Sequence, residues 1–438
     1  MISKITPNRL NAPKLGKPLT LNISEPEKIT LSNGMQVFLV PDKEQEVTRL
    51  DVVFDAGNAL QSQKLQANAV NKLLSEGTQN HTAIEIAGML DFYGAYLDPF
   101  INKDKAGLTL FALTKYYDIL LPLMAEILTK ASFRKNEIDL YEARKKQDFL
   151  VNIQKVSYRA SVEFNKLMFG ENSPYGQTLN EDDFGKLKQE QVLDFYEKYY
   201  PPQKAYLVLS GKVTDDLLNL LKRFLGNLWR KEETTPEMKD SYTEAVSQKT
   251  RFFEKENALQ SALRIGTTTI NRRHPDYPKL SLLNTVLGGY FGSRLMSSLR
   301  EDKGYTYGVS SFIQNFRHAD YFAIATEINA DHTAAAINEI KFQMESLSQK
   351  KVHQDELTVV KNYIYGSYLR HFDGPFSLAE RFLKSLELGL EFDIYKKELD
   401  EMMKITPDVL LETARKYFNF DRMKILVVGK TEGLESLM

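Results

Sequence analysis

Asn68 and Lys72 stand four residues apart in the run Ala67-Asn68-Ala69-Val70-Asn71-Lys72-Leu73-Leu74, with Asn71 beside Lys72. On a helix, positions i and i+4 leave the same face. That is the spacing by which two imidazoles grip a zinc ion while a neighbouring glutamate takes a proton from the metal-bound water. Here the spacing is kept and the chemistry is not: an amide is a poor zinc ligand, and a protonated lysine is no ligand at all. By residue type alone the three side chains read as a solvated helix face, backed by the apolar Ala69, Val70, Leu73 and Leu74.

No other donors make good the loss. The six histidines are His81, His274, His318, His332, His353 and His371, and the closest two are 332 − 318 = 14 residues apart, so no pair shares adjacent helical turns. Each reads as a surface or capping histidine. The chain has no cysteine, which excludes disulfides, thiolate zinc sites, iron-sulfur clusters and a cysteine nucleophile. Gly288, Gly289 and Gly292 form a cluster ahead of a helix, an arrangement that can cradle phosphate. The strand, glycine-rich loop and Lys-Ser/Thr of a nucleotide site are missing, so nucleotide binding is discounted. Lysine and arginine total 57 against 58 acidic residues, with the signs interspersed, which gives no footprint for nucleic acid or an anionic membrane. Met1 to Pro18 holds Lys4, Arg9, Lys14 and Lys17 with no continuous apolar stretch after them, and no later run has the length to cross a bilayer. A soluble, cytoplasmic protein is the expectation; a trimmed precursor would look the same.

The elements that must position these residues are written twice. At 438 residues the chain exceeds what one core usually organises. Val192 to Tyr200 reads as a helix that leads into the strand Ala205-Tyr-Leu-Val-Leu-Ser-Gly-Lys212, and Leu410 to Phe418 leads in the same way into Lys424-Ile-Leu-Val-Val-Gly-Lys430. Tyr199 and Tyr417 are 417 − 199 = 218 positions apart, as are Lys212 and Lys430, and Asn136-Glu137-Ile138 answers Asp355-Glu356-Leu357 to within one residue. Three features in one register indicate an internal duplication. Gln36 to Val40 and Gly107 to Phe111 have strand composition, and Thr82-Ala-Ile-Glu85 is a capping box opening a helix that ends at Gly94. Arg230 to Ser241 is charged, poor in large apolar residues and broken by Pro236. The expected class is α+β: two homologous lobes at 1–229 and 248–438, each a mixed or antiparallel sheet packed with helices, joined by a linker at 230–247.

The order Leu31-Ser-Asn-Gly-Met-Gln-Val37, Glu76-Gly77-Thr78, Gly288-Gly-Tyr-Phe-Gly-Ser-Arg-Leu295 and Leu299-Arg-Glu-Asp-Lys-Gly-Tyr-Thr-Tyr307 resembles the pitrilysin or insulinase-like superfamily, which includes the mitochondrial processing peptidases. The likeness runs over nearly the whole chain, and its last motif is the most specific. In catalytic members the helix before Gly-Thr carries an inverted His-x-x-Glu-His, whose positions fall here on Asn68, Asn71 and Lys72. A further glutamate ligand expected near Gln147 to Phe149 is not evident either.

The resemblance therefore implies a chain without zinc of its own, paired with a zinc-bearing homologous subunit. Zinc-less partners in the family are marked by an arginine and a tyrosine in the second lobe, matched here by Arg300 and Tyr307. A forked guanidinium and a phenol can hold a substrate carbonyl, or the oxyanion forming on it. Without the motif, Arg300 would read as pairing with Glu301 or Asp302 and Tyr307 as packing in a strand. The glycines at 288, 289 and 292 would line a peptide chamber, or simply form a tight turn. Three readings stay open: a substrate-positioning subunit of a heterodimeric zinc endopeptidase that binds extended peptide at a sheet edge, a scaffolding descendant with no part in proteolysis, and, more weakly, a metalloenzyme with an unusual site.

Overall fold

Strands with apolar residues on both faces need cover on both sides, and the strand runs of this chain are of that kind. The computed structural model describes residues 20–21, 23–228 and 241–434. The first half runs β1 (Glu27–Thr30), β2 (Gln36–Pro41), β3 (Val47–Phe54), α1 (Gln66–Leu73), α2 (Ala83–Phe92), β4 (Tyr96–Ile101), β5 (Ala106–Leu113), α3 (Tyr117–Lys130), α4 (Lys135–Asn152), α5 (Val156–Phe169), α6 (Gln189–Tyr199), β6 (Tyr206–Gly211) and α7 (Asp215–Phe224). The second half runs β7 (Thr250–Glu254), β8 (Gln260–Thr268), α8 (Tyr277–Asn284), β9 (Thr306–Asn315), β10 (Asp320–Asn329), α9 (Thr333–Gln349), α10 (Gln354–His371), α11 (Pro375–Leu388), α12 (Ile394–Lys404), α13 (Pro407–Tyr417) and β11 (Lys424–Gly429).

The strands form two sheets, ordered β1-β2-β6-β3-β5-β4 and β7-β11-β8-β10-β9. In each, the last strand lies parallel to one neighbour, β6 on β2 and β11 on β7, and the other pairings are antiparallel. With β1 set aside, the two topologies superimpose strand for strand. β6 and β11 begin 424 − 206 = 218 residues apart, so the duplication read from the sequence is present in the backbone. The capping box is formed as well, with Glu85 N–H donating to the Thr82 hydroxyl and Thr82 N–H donating to the Glu85 carboxylate. Hydrogen bonds from Thr82 hold the Glu85 carboxyl below its usual range.

One face of each sheet is covered by helices of its own half, and the other face by a helix of the opposite half. Val37, Leu39, Leu207 and Leu209 point into the first core with Val70, Leu121 and Phe195. Their neighbours Phe38, Val40 and Val208 point the other way, onto Ala379 and Phe382 of α11. In the second sheet Leu263, Ile265, Ile425 and Val427 face their own core, while Ala262, Ala323, Leu426 and Val428 meet Ala160, Phe164 and Leu167 of α5. The helices α5 and α11 occupy matching places in the duplication, 375 − 156 = 219 residues apart, so the exchange is reciprocal. Ion pairs follow it: Arg49 Nη1 lies 3.0 Å from Glu380 Oε1, and Arg251 Nη1 lies 3.2 Å from Glu163 Oε2.

Every strand of the first sheet precedes residue 212 and every strand of the second follows residue 249. Of the segment read as the linker, residues 230–240 lie outside the described residues, as does the Met1 to Pro18 stretch. No helix among the described residues is long and apolar enough to cross a membrane.

Candidate functional site

In the first half the site is built on α1, which opens from Leu65, a residue in the left-handed region at φ 72°. The three positions singled out on this helix do not share a solvated face. Asn71 is buried at 2% exposure, and its Nδ2 donates to the Gly107 carbonyl of β5 at 3.0 Å. Lys72 is exposed, and Asn68 is half-buried. Consecutive helix residues diverge by about 100°, and that turn carries Asn71 into the sheet while Lys72 faces out. A Cβ at Gly107 would come within 2.1 Å of the Val52 carbonyl oxygen and 2.7 Å of the Phe100 ring, so glycine here serves the pairing of β5 with its neighbouring strands.

Opposite α1 stands α4. Within the stretch expected to hold a further carboxylate, Gln147 and Asp148 are exposed and Phe149 is buried. This donor set does not suit zinc: the Asn71 amide nitrogen is committed to Gly107, Lys72 brings a cation, and the Phe149 ring can coordinate nothing. Among the described residues no group of three or more His, Cys, Asp or Glu could hold a metal ion. The histidines have local work. His353 accepts from the Asp355 N–H at the start of α10, and His274 accepts from the Asp276 N–H. His318 and His332 stack on Tyr242 and Tyr305, and His81 hydrogen-bonds Glu126.

In the second half two π-helical segments, Thr285–Gly289 and Met296–Asp302, bracket the glycine cluster. As the sequence reading had it, all three glycines precede the helix that carries Arg300; Gly288 and Gly289 also close the π segment before it. Gly288 is buried, and a Cβ on it would lie 2.8 Å from Ser311 N, so its smallness serves the close packing of β9. Gly289 and Gly292 are exposed.

Arg300 lies in the second π segment with its guanidinium 4.6 Å from the centre of the Phe291 ring. It pairs with neither Glu301 nor Asp302. The forked ion pair nearby belongs to Arg294, bound to Glu356 at 2.8 and 2.9 Å. Tyr307 lies on β9, the edge strand of its sheet, and is 90% exposed rather than packed. The reason is a bulge: Val309 opposes Thr326 and Thr306 opposes Ile328, so Tyr307 and Gly308 together face Glu327. Two threonines hold it. Thr326 Oγ1 donates to the Gly308 carbonyl at 2.9 Å, and Gly308 N–H donates to Thr306 Oγ1 at 3.0 Å. Tyr307 borders a shallow depression with Gln260, Arg264 and Glu327, a lining that does not include Arg300.

The sequence reading missed Phe291, the platform under Arg300, and the pair Thr306 and Thr326. An aromatic residue beside Gly292 was a usable signal for the first, but a bulge depends on register and left none.

Comparison with known proteins agrees with this fold. Residues 186–364 match the family described as the peptidase M16 inactive domain. A Bacillus subtilis protein named "Uncharacterized zinc protease YmxG" is 23% identical over 416 residues, which cover 92% of this chain and 98% of that protein. A Helicobacter pylori protein named "Non-peptidase homolog YmxG" is 24% identical over 371 residues, covering 82% and 83%. A crystal structure of a peptidase M16 inactive domain from Pseudomonas fluorescens superimposes with a TM-score of 0.83 at 22% identity, covering 94% of this chain and 98% of that one.

Proposed function

We propose that this chain, whose residues 186–364 match the peptidase M16 inactive domain, is the substrate-binding, non-catalytic subunit of a two-chain zinc endopeptidase acting on peptides. The observation that carries the proposal is the display of Tyr307, pushed out of an edge strand by a bulge, with its hydroxyl bonded to no described residue. Arg300 supports it, since its guanidinium rests on a ring and keeps its donors clear of carboxylates. On this reading the partner subunit supplies the zinc chemistry. This chain contributes two hydrogen-bond donors to the substrate carbonyl or the charge that develops on it. The partner is a zinc-bearing homologous chain, and the proposal places the pair in the cytoplasm, which cell fractionation checks.

The test is co-expression with a zinc-bearing relative, followed by peptide-cleavage assays of each chain alone and of the pair. Arg300→Ala and Tyr307→Phe are each expected to lower the turnover of the pair by about tenfold or more. The stacking of Arg300 on Phe291 is also what a scaffolding protein would have, with Arg300 as a packing residue. Unchanged turnover in both variants would favour that second reading.

A further inference from the structure

The end of α11 meets two loops of the second half: residues 269–274, which follow β8, and the turn 316–319 between β9 and β10. They enclose a cavity of about 390 Å³, within the range of small-molecule sites at roughly 300–1,000 Å³. Neither Arg300 nor Tyr307 is in its lining. The lining brings the guanidiniums of Arg272, Arg273 and Arg317 and the imidazoles of His274 and His318 together with a single carboxyl, that of Asp320.

How these groups are engaged decides what the cavity can take. Arg272 is committed to the buried Glu398, which its Nε and Nη2 hold at 2.7 and 2.6 Å. Arg273 meets no carboxylate among the described residues. Its Nη2 donates to the Leu388 and Gly389 carbonyls at 3.0 and 2.5 Å, and so covers the negative end of α11. Arg317 gives Nη1 to Asp55, a carboxylate that it shares with Lys105. The Nε and Nη1 of Arg273 and the Nε and Nη2 of Arg317 form no hydrogen bond with any described residue, so two forks with open donors border one cavity. His274 Nδ1 accepts from the Asp276 N–H, which puts the proton of the neutral ring on Nε2 as a further donor. Charge points the same way. Two cations share Asp55, and Arg273 is left against Asp320, whose carboxyl accepts from the Asn315 amide and is raised by burial to about 6. Positive charge stays in excess even with Asp320 ionised. The wall also includes the apolar Ile270, Phe316, Leu388 and Leu390. Forked guanidiniums match phosphate oxygens, a pair of them answers a dianion, and the apolar wall answers a carbon frame.

We propose that this cavity binds the phosphate monoester of a small, partly apolar molecule, with Arg273 and Arg317 on the phosphate. Arg317 also ties the β9–β10 turn to Asp55 and Asp104 of the first half, so the bound ligand braces the junction between the halves. The inference needs no zinc-bearing partner and stands apart from the proposed function.

The experiment titrates the isolated full-length chain with phenyl phosphate, inorganic phosphate and benzoate by calorimetry, at fixed ionic strength and about pH 7.5, where a phosphate monoester is a dianion. Phenyl phosphate is expected to saturate one site and to bind about tenfold or more tighter than either of the others. Arg273→Gln and Arg317→Gln should each weaken it about tenfold or more, while Lys186→Gln, exposed and outside the cavity, leaves it unchanged. Each arginine variant also loses a contact that holds the fold. Thr269→Glu therefore gives a second probe, since it puts a carboxylate on the cavity wall with both arginines in place, and it should weaken binding by a similar factor. Thermal melts identify variants that misfold. Failure of phenyl phosphate to bind saturably overturns the inference, as does binding that all three cavity variants leave unchanged. Benzoate binding as tightly as phenyl phosphate overturns the phosphate assignment, and inorganic phosphate binding as tightly overturns the monoester.

Discussion

Asn71 decides whether the missing metal chemistry can be restored by substitution. Its Nδ2 is the donor to a buried carbonyl, so a carboxylate at this position would set acceptor against acceptor beneath α1. Asn71→Asp keeps the shape and removes the donor, and should cost about 2–4 kcal/mol in urea unfolding. The same conflict obstructs a graft of the zinc motif by Asn68→His, Asn71→Glu and Lys72→His together, and Phe149 offers no further ligand. The residue types were plain in the sequence, and the burial was recoverable too: Ala67 and Leu74, four before and three after Asn71, are both fully buried and mark its stripe as inward. What no spacing could supply was the partner, because Gly107 reaches Asn71 only through the pairing of β5 with β3.

At the scale of elements, the helix and strand that close each half followed from hydrophobic pattern and the 218-residue repeat, but the crossing of α5 and α11 did not. Periodicity says that a helix has an apolar face, not whose sheet will cover it. Phe164 and Phe382 are the anchors of the crossing. The Phe382 ring lies 4.8 Å from that of Phe38, and the Phe164 ring 6.1 Å from that of Tyr321. Phe164→Ala or Phe382→Ala should each cost about 3–5 kcal/mol, read by chemical denaturation. The two losses should be similar, since the two sites are equivalent in the duplication. The bulge at Tyr307 belongs to this scale as well, because it turns a strand composition that would bury alternate residues into the display of a single phenol.

Across the whole molecule, the hairpin of β9 and β10 meets the first half: Arg317 N–H donates to Asp104 Oδ2 at 3.0 Å, and Arg317 Nη1 lies 3.0 Å from Asp55 Oδ1. Beside the turn of this hairpin, burial raises the Asp320 carboxyl to about 6, against the opposing influence of Asn315 and Lys384. A carboxyl whose folded pKa lies above its unfolded value contributes stability that is complete below the unfolded value, near 3.8, and lost as pH rises through about 6. Asp320→Asn should therefore flatten the fall in Tm between these two pH values, gaining on the wild type at neutral pH and not at acid pH. Thermal melts of both proteins across that range check it.

The reciprocal helices also bear on ancestry. Before the duplication, a chain of half this length would have left one face of its sheet bare unless a twin lent its helix and borrowed one in return. Held in one polypeptide, the two copies of the repeat meet that need within the chain, each sheet being covered by a helix that the other half supplies.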